Sequence, residues 1–187
     1  VGKDPATGAP RGIVPDLAQE LGRRLGVAVE FTGYESPGKV ADAAKTGAWD
    51  VAFLGADPAR AADIDFTAAY LEIEATYLVP PGSPIKTIDE VDREGVRISV
   101  SARSAYELYL TRTLKHATLM KVEGIEASWQ QFLSAKTEAL AGLLPRLTTD
   151  VEKLPGSRIL PGRFTSIQQA IGPPKGPSEA AKYVRPF

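Results

Sequence analysis

An α/β fold is predicted by three features of this chain: apolar periodicity that switches repeatedly between helical and strand spacing, Gly and Pro at the switches, and 187 residues of which 43% are hydrophobic. Alternating helix and strand signals are the pattern that builds parallel sheets with helices packed on their faces. The length suits one ordinary domain or two small lobes, and no uncharged apolar run is long enough to span a membrane.

Taken in order, the first element is a helix over Ile13–Leu25, where Ile13, Leu17, Leu21 and Leu25 recur at helical spacing, Pro15 is tolerated in the first turn and Gly26 stops the helix. Val27–Phe31 alternates as a strand. Val40–Lys45 is alanine-rich and helical, Asp50–Leu54 reads as a short buried strand, and Tyr70–Val79 as a longer one. The turn PPGSP, Pro80–Pro84, differs from both flanks and marks a boundary. Beyond it the alternation restarts, with strands at Val96–Val100, Thr118–Val122, Glu138–Leu144 and, last, Arg158–Leu160. The helices between them are Ala105–Leu114, Ile125–Leu133 and Arg146–Leu154. Gly172-Pro173-Pro174 breaks the chain again before a short helix at Ser178–Val184. The expectation is two lobes, residues 1–80 with 170–187 and residues 85–168, each a mostly parallel sheet flanked by helices. Hinges fall near 80–84 and 168–172, with a cleft between the lobes.

Composition narrows the chemistry. The net charge of −1 gives no basic stripe for nucleic acid or an anionic membrane. No cysteine means no thiolate nucleophile and no disulfide, and with a single histidine, His116, the usual zinc sets cannot be assembled. His116 reads as a polar residue at a helix end. Ser99, Ser101 and Ser104 lack a nucleophile-elbow context, and neither GADPAR nor GPPKGP has the glycine spacing of a phosphate loop. Glu72 and Glu74 alternate with Leu71 and Ile73 as on a strand with one wet face, and Trp49 and Trp129 read as core. No cofactor is expected.

The stretch GADPARAADIDFT, Gly55–Thr67, sets Arg60 just behind a Gly-Ala-Asp-Pro turn. An arginine delivered by a loop can grip a carboxylate with two parallel hydrogen bonds, or it can pair with Asp57 or Asp63 on the surface.

Four stretches carry a family resemblance: GIVPDLAQELGRRLGV at 12–27, AAKTGAWDVAFLGADPARAADIDFT at 43–67, TYLVPPGSPIKTIDEV at 76–91 and VRISVSARSAYELYL at 96–110. The chain resembles the extracytoplasmic solute-binding proteins of ABC transporters, family 3, the polar amino-acid type with the type II periplasmic-binding fold. The resemblance implies that Arg60 binds the carboxylate of a small solute, that Ser104 donates to it from a helix N-terminus, and that the first lobe is terminally shortened. It puts Arg103 where glycine is usual, Asp57 where a hydroxyl residue often stands after Gly55, and Tyr34 and Pro37 in a loop that often touches the solute's side chain. The acid that clamps an ammonium group in the family falls on Leu143, where a buried ammonium would be left unpaired. Also implied are periplasmic location with the signal removed, an ABC permease as partner, and, to cover the exposed sheet edge of the shortened lobe, a homodimer or swapped assembly. Two other readings stand beside a non-enzymatic binder. One is a dehydratase resembling cyclohexadienyl dehydratase, with Glu138 or Asp57 as acid/base; the other is a sensor or interaction module that has lost solute binding.

Overall fold

The computed structural model describes residues 2–176, 179–184 and 187. After a two-stranded ribbon, β1 (Gly2–Lys3) with β2 (Pro10–Arg11), the first helix is α1 (Ile13–Leu25). Its stop is local chemistry. Gly26 takes the left-handed conformation, φ 69°, and the Gly26 and Val27 N–H groups bond back to Arg23 and Gly22 carbonyls, closing the last turn. The inward face of α1 runs through Pro15, Ala18, Leu21 and Gly22 and leaves Ile13 and Leu25 exposed, so the helix is rotated relative to the stripe read from the sequence.

Helix α2 (Pro37–Asp42) opens with Ser36 accepting the Lys39 N–H and with Pro37 in the first turn, where a missing N–H costs nothing. A 3₁₀ turn at Ala43–Lys45 follows. Then come β3 (Ala52–Gly55), β4 (Ala69–Val79), β5 (Arg97–Ser101), α3 (Ala105–Thr113), β6 (Thr118–Val122) and α4 (Ile125–Ser134). The chain continues through β7 (Ala139–Leu143), α5 (Leu144–Lys153), β8 (Arg158–Ile159) and β9 (Thr165–Gly172) to α6 (Glu179–Val184). The expected start of that last helix, Ser178, lies outside the described residues.

The strands are ordered β3-β9-β4-β7-β5-β6, with β8 beside β4. Pairings β5–β6 and β5–β7 are parallel and the rest antiparallel, so the sheet is mixed and curled. Strand β4 joins the two halves: from Ala69 to Ala75 it pairs with β9, and from Ala75 to Leu78 with β7. The expected pair of sheets is therefore one continuous ladder path, because β4 is long enough to serve both halves.

Successive residues of a strand point to opposite faces, and the core follows. Tyr77 and Val79 pack with Ile98, Val100, Tyr106 and Leu110 on the α3 side, whereas Leu78 joins Trp129, Phe132, Leu140 and Leu147 under α4 and α5. Fully burying one such leucine stabilises by about 1.5–3 kcal/mol. On the other half, Leu54 and Ile64 pack beneath α2, and Leu21 of α1 meets Ile171 and Val184.

Two strand expectations are corrected. Val27–Phe31 forms no strand; among the described residues it has no ladder partner, and alternation alone cannot satisfy a backbone. Arg158–Leu160 is not the last strand, because β9 follows it. The TSIQQAIG stretch places two glutamines where a buried strand is normally apolar, yet β9 pairs on both sides, with β3 and β4.

Candidate functional site

Arg60 is positioned by a compact bend after β3. The Asp57 carboxylate accepts the Ala59 N–H at 2.9 Å, and the Asp57 carbonyl accepts the N–H groups of Arg60 and Ala61 at 2.9 and 3.0 Å. An aspartate bonded to the backbone two residues on is a local turn device, which is why Gly-Ala-Asp-Pro folds this way. The bend turns Arg60 inward: the residue is 5% exposed. Its Nη1 donates to the Gly55 carbonyl at 2.7 Å and its Nη2 to the Arg103 carbonyl at 2.6 Å. Burial lowers the affinity of this guanidinium for its proton; Asp57 opposes that and Arg103 reinforces it.

A cavity of about 380 Å³ opens against Arg60. Its wall includes Arg60, Arg103 and Lys45, the carboxylates of Asp42 and Asp63, and the bare backbone of Gly38. Lys45 pairs with Asp63 at 3.0 Å and Arg103 with Asp42, so the positive charge left over is that of Arg60. An anion is the complementary guest.

Asp57 is buried and pairs not with Arg60 but with Arg112 of α3, in a two-bond fork of 3.2 and 2.8 Å. That fork raises the Arg112 pKa. The repulsion Asp57 would exert on an anion is thus compensated from the other half of the molecule. Ser104 is 1% exposed and caps α3, accepting the Glu107 N–H at 3.1 Å. Of the residues singled out in the sequence, Arg60 and Arg103 line the cavity. Gly55, Asp57 and Ser104 touch or support them, and Tyr34 and Pro37 stand half-buried at the start of α2, next to the lining residue Gly38. Leu143 lines a separate cavity of about 30 Å³, close to the size of one water.

Arg112, Asp42, Lys45 and Glu123 were not legible as site residues. Their partners lie far along the chain, 55 residues for Arg112–Asp57 and 61 for Arg103–Asp42, and no local motif encodes such pairs. The two carboxylates considered for acid/base work are both bound: Asp57 by Arg112, and Glu138 by Arg97 at 2.8–3.0 Å.

An ancestral arginine-binding protein bound to arginine is similar with a TM-score of 0.82 and 24% identity, over 98% of this chain and 83% of that one. Holo ArgBP from T. maritima gives 0.81 and 18%, over 98% and 81%. The ancestral amino acid-binding protein AncCDT-1, described as a precursor of cyclohexadienyl dehydratase, gives 0.78 and 23%, over 98% and 80%. At these identities the likeness establishes the fold. No curated protein sequence matches the chain. Residues 3–155 match the family model, and the chain belongs to the bacterial extracellular solute-binding proteins, family 3.

Proposed function

We propose that this chain captures a small carboxylate-bearing solute, amino-acid-like or an organic acid, between two lobes and delivers it to an ABC-transporter permease outside the cytoplasm. The lobes are residues 1–80 with 170–187 and residues 85–168. The sequence puts the hinges near 80–84 and 168–172; we place the first crossing earlier, where β4 leaves β9 for β7 at Ala75. One observation carries the reading: a buried guanidinium, Arg60, stands at a cavity of about 380 Å³ whose other charges are already paired. An ionised carboxylate adds a full opposite charge and a two-bond fork to what the neutral carbonyls now on this guanidinium supply. The similar structures named as amino acid- or arginine-binding support the same solute class.

A non-enzymatic role fits better than the dehydratase reading, because Asp57 and Glu138 are tied up by arginines and neither lines the cavity. Assembly of two copies over the outer edge at β3 belongs to the same proposal; a monomer in light scattering over a wide concentration range would remove it.

The test is a thermal-shift and calorimetric screen of amino acids, dicarboxylates and related acids. A solute at one hundred times its Kd raises native-state stability by about 2.7 kcal/mol. Arg60→Ala is expected to abolish binding and, by unpairing the buried Gly55 carbonyl and the part-buried Arg103 carbonyl, to lower stability by about 1–3 kcal/mol. Arg60→Lys keeps the charge but loses the fork and should bind weakly. Equal binding by Arg60→Ala, or no response to any carboxylate, would overturn the reading.

A further inference from the structure

Arg103 sits with φ 57°, in the left-handed region that suits glycine. Several bonds hold it there. Its N–H donates to Glu107 Oε2 at 2.9 Å, and its carbonyl accepts Arg60 Nη2 at 2.6 Å. Its guanidinium binds Asp42 Oδ2 and, at 3.3 Å, Glu123 Oε1. Asp42 ends α2 and Arg60 follows β3, both in the first lobe; Arg103, Glu107 and Glu123 belong to the second. The side chain therefore staples α2 to the turn after β6. Gly38 makes room for it: a Cβ there would stand 2.8 Å from Arg103 Cβ and 2.9 Å from its Nε, closer than atoms can sit.

Resting on the solute-binding reading, we propose that Arg103 is a built-in occupant of the solute site. Its carbonyl takes a place beside Arg60 that a solute carboxylate oxygen would take, and its clasp on Asp42 and Glu123 sets how readily that place is given up. The apparent affinity for solute is then reduced by the fraction of molecules in which Arg103 has yielded. An anion displaces a neutral carbonyl from Arg60 more effectively than a neutral solute does, because two opposite full charges attract more strongly than a charge and a dipole. Arg103, Asp42 and Glu123 are partly exposed, so salt screens the clasp and raises the yielded fraction.

Two variants separate the contributions. Arg103→Gly removes the clasp while adopting the same backbone conformation without strain. Asp42→Asn with Glu123→Gln keeps the arginine and removes its anchors. The chain has no cysteine, so spin labels on cysteines introduced at the exposed Ala62 and Ala127 report the distance between lobes without interference. With no solute added, the distance distribution is expected to widen in both variants and in wild type at 1 M salt. In calorimetry with L-arginine, L-glutamine and succinate, Arg103→Gly is expected to bind whichever is taken up about fivefold more tightly or better. Unchanged distances in both variants, or unimproved affinity in Arg103→Gly, would overturn the proposal while leaving solute binding intact. Widened distances with no uptake by wild type or variants would support the clasp and sink the solute-binding reading instead.

Discussion

The stretches VAVEF at residues 27–31 and VRISV at 96–100 carry nearly the same alternation, yet one runs unpaired over the surface and the other lies inside a sheet. Val27 is 59% and Phe31 41% exposed, whereas Ile98 and Val100 are 0% exposed. Strand β5 has parallel neighbours on both sides, β6 along its whole length and β7 at Ile98 and Ser99, with α3 residues packed on Ile98 and Val100 and α4 in contact with the strand. The 27–31 segment meets α1 at Gly22, whose carbonyl accepts the Val27 N–H and whose Cα faces Val29. An alternating pattern states which side chains could be buried together; neighbouring strands decide whether they are.

The largest expected contrast is in core truncation. Ile98→Ala should cost about 2–5 kcal/mol in denaturant unfolding, whereas Val27→Ala should stay within about 0.5 kcal/mol. Comparable losses would mean that the first segment is packed as tightly as β5. A finer contrast comes from adding one methyl group. A Cβ at Gly142 of β7 would stand 2.8 Å from Leu147 in the clamped half, so Gly142→Ala should destabilise by about 1–3 kcal/mol. At Gly22 the added Cβ would meet a Val29 methyl at 2.4 Å and the Val27 carbonyl oxygen at 3.0 Å, but residues 27–31 have no strand partner holding them and a helix interior favours alanine by about 1 kcal/mol, so the penalty should be smaller than at Gly142. Equal penalties at both glycines would contradict the comparison.

The smallest contrast is in acid. Burial pushes the Glu107 carboxyl up, but Lys121, the Thr111 hydroxyl and the Arg103 N–H outweigh it and hold its pKa below the ordinary 4.5. A depressed carboxylate contributes stability above its unfolded pKa and loses it as pH falls through the folded one. Native stability should therefore drop below pH 4.5, and Glu107→Gln should flatten that limb. Glu20 of α1 is held at about 2 by Arg23 and Arg24, but both arginines are exposed and solvent screens the pairs, so Glu20→Gln should change the limb less. Urea titrations at pH 3, 4 and 6 read both variants; a steeper acid dependence in Glu107→Gln than in wild type would reverse the assignment.

Much of the fold was readable. Helix α1 and strand β6 lie where the periodicity puts them, and β4, β5, β7 and α3–α5 agree to within a residue or two. Helix α2 starts at Pro37, three residues before the expected Val40, because Ser36 caps it, whereas the two strand misses share a different cause. Strand β9 is polar at Gln168 and Gln169 and acquires its strand character from β3 and β4 on either side, while residues 27–31 lose theirs for want of a neighbour. At the site, Arg60 stood out because a turn delivers it, yet its Gly55 and Arg103 acceptors, the Arg112 partner of Asp57 and the Asp42 anchor of Arg103 carried no local signal.

Sequence alone determined where α1 starts and stops and, to within two residues, the ends of α3–α5, that strands and helices alternate, and that position 60 offers a loop-borne guanidinium. Caps, turns and periodicity act within a few residues, so the local chain suffices to specify them. Tertiary structure decided which strands pair, that β4 joins both halves into one sheet, and that Asp57 meets Arg112 and Asp42 meets Arg103 beside Arg60. Those outcomes depend on groups far apart in the chain meeting at hydrogen-bond distance, which only the closed fold brings about.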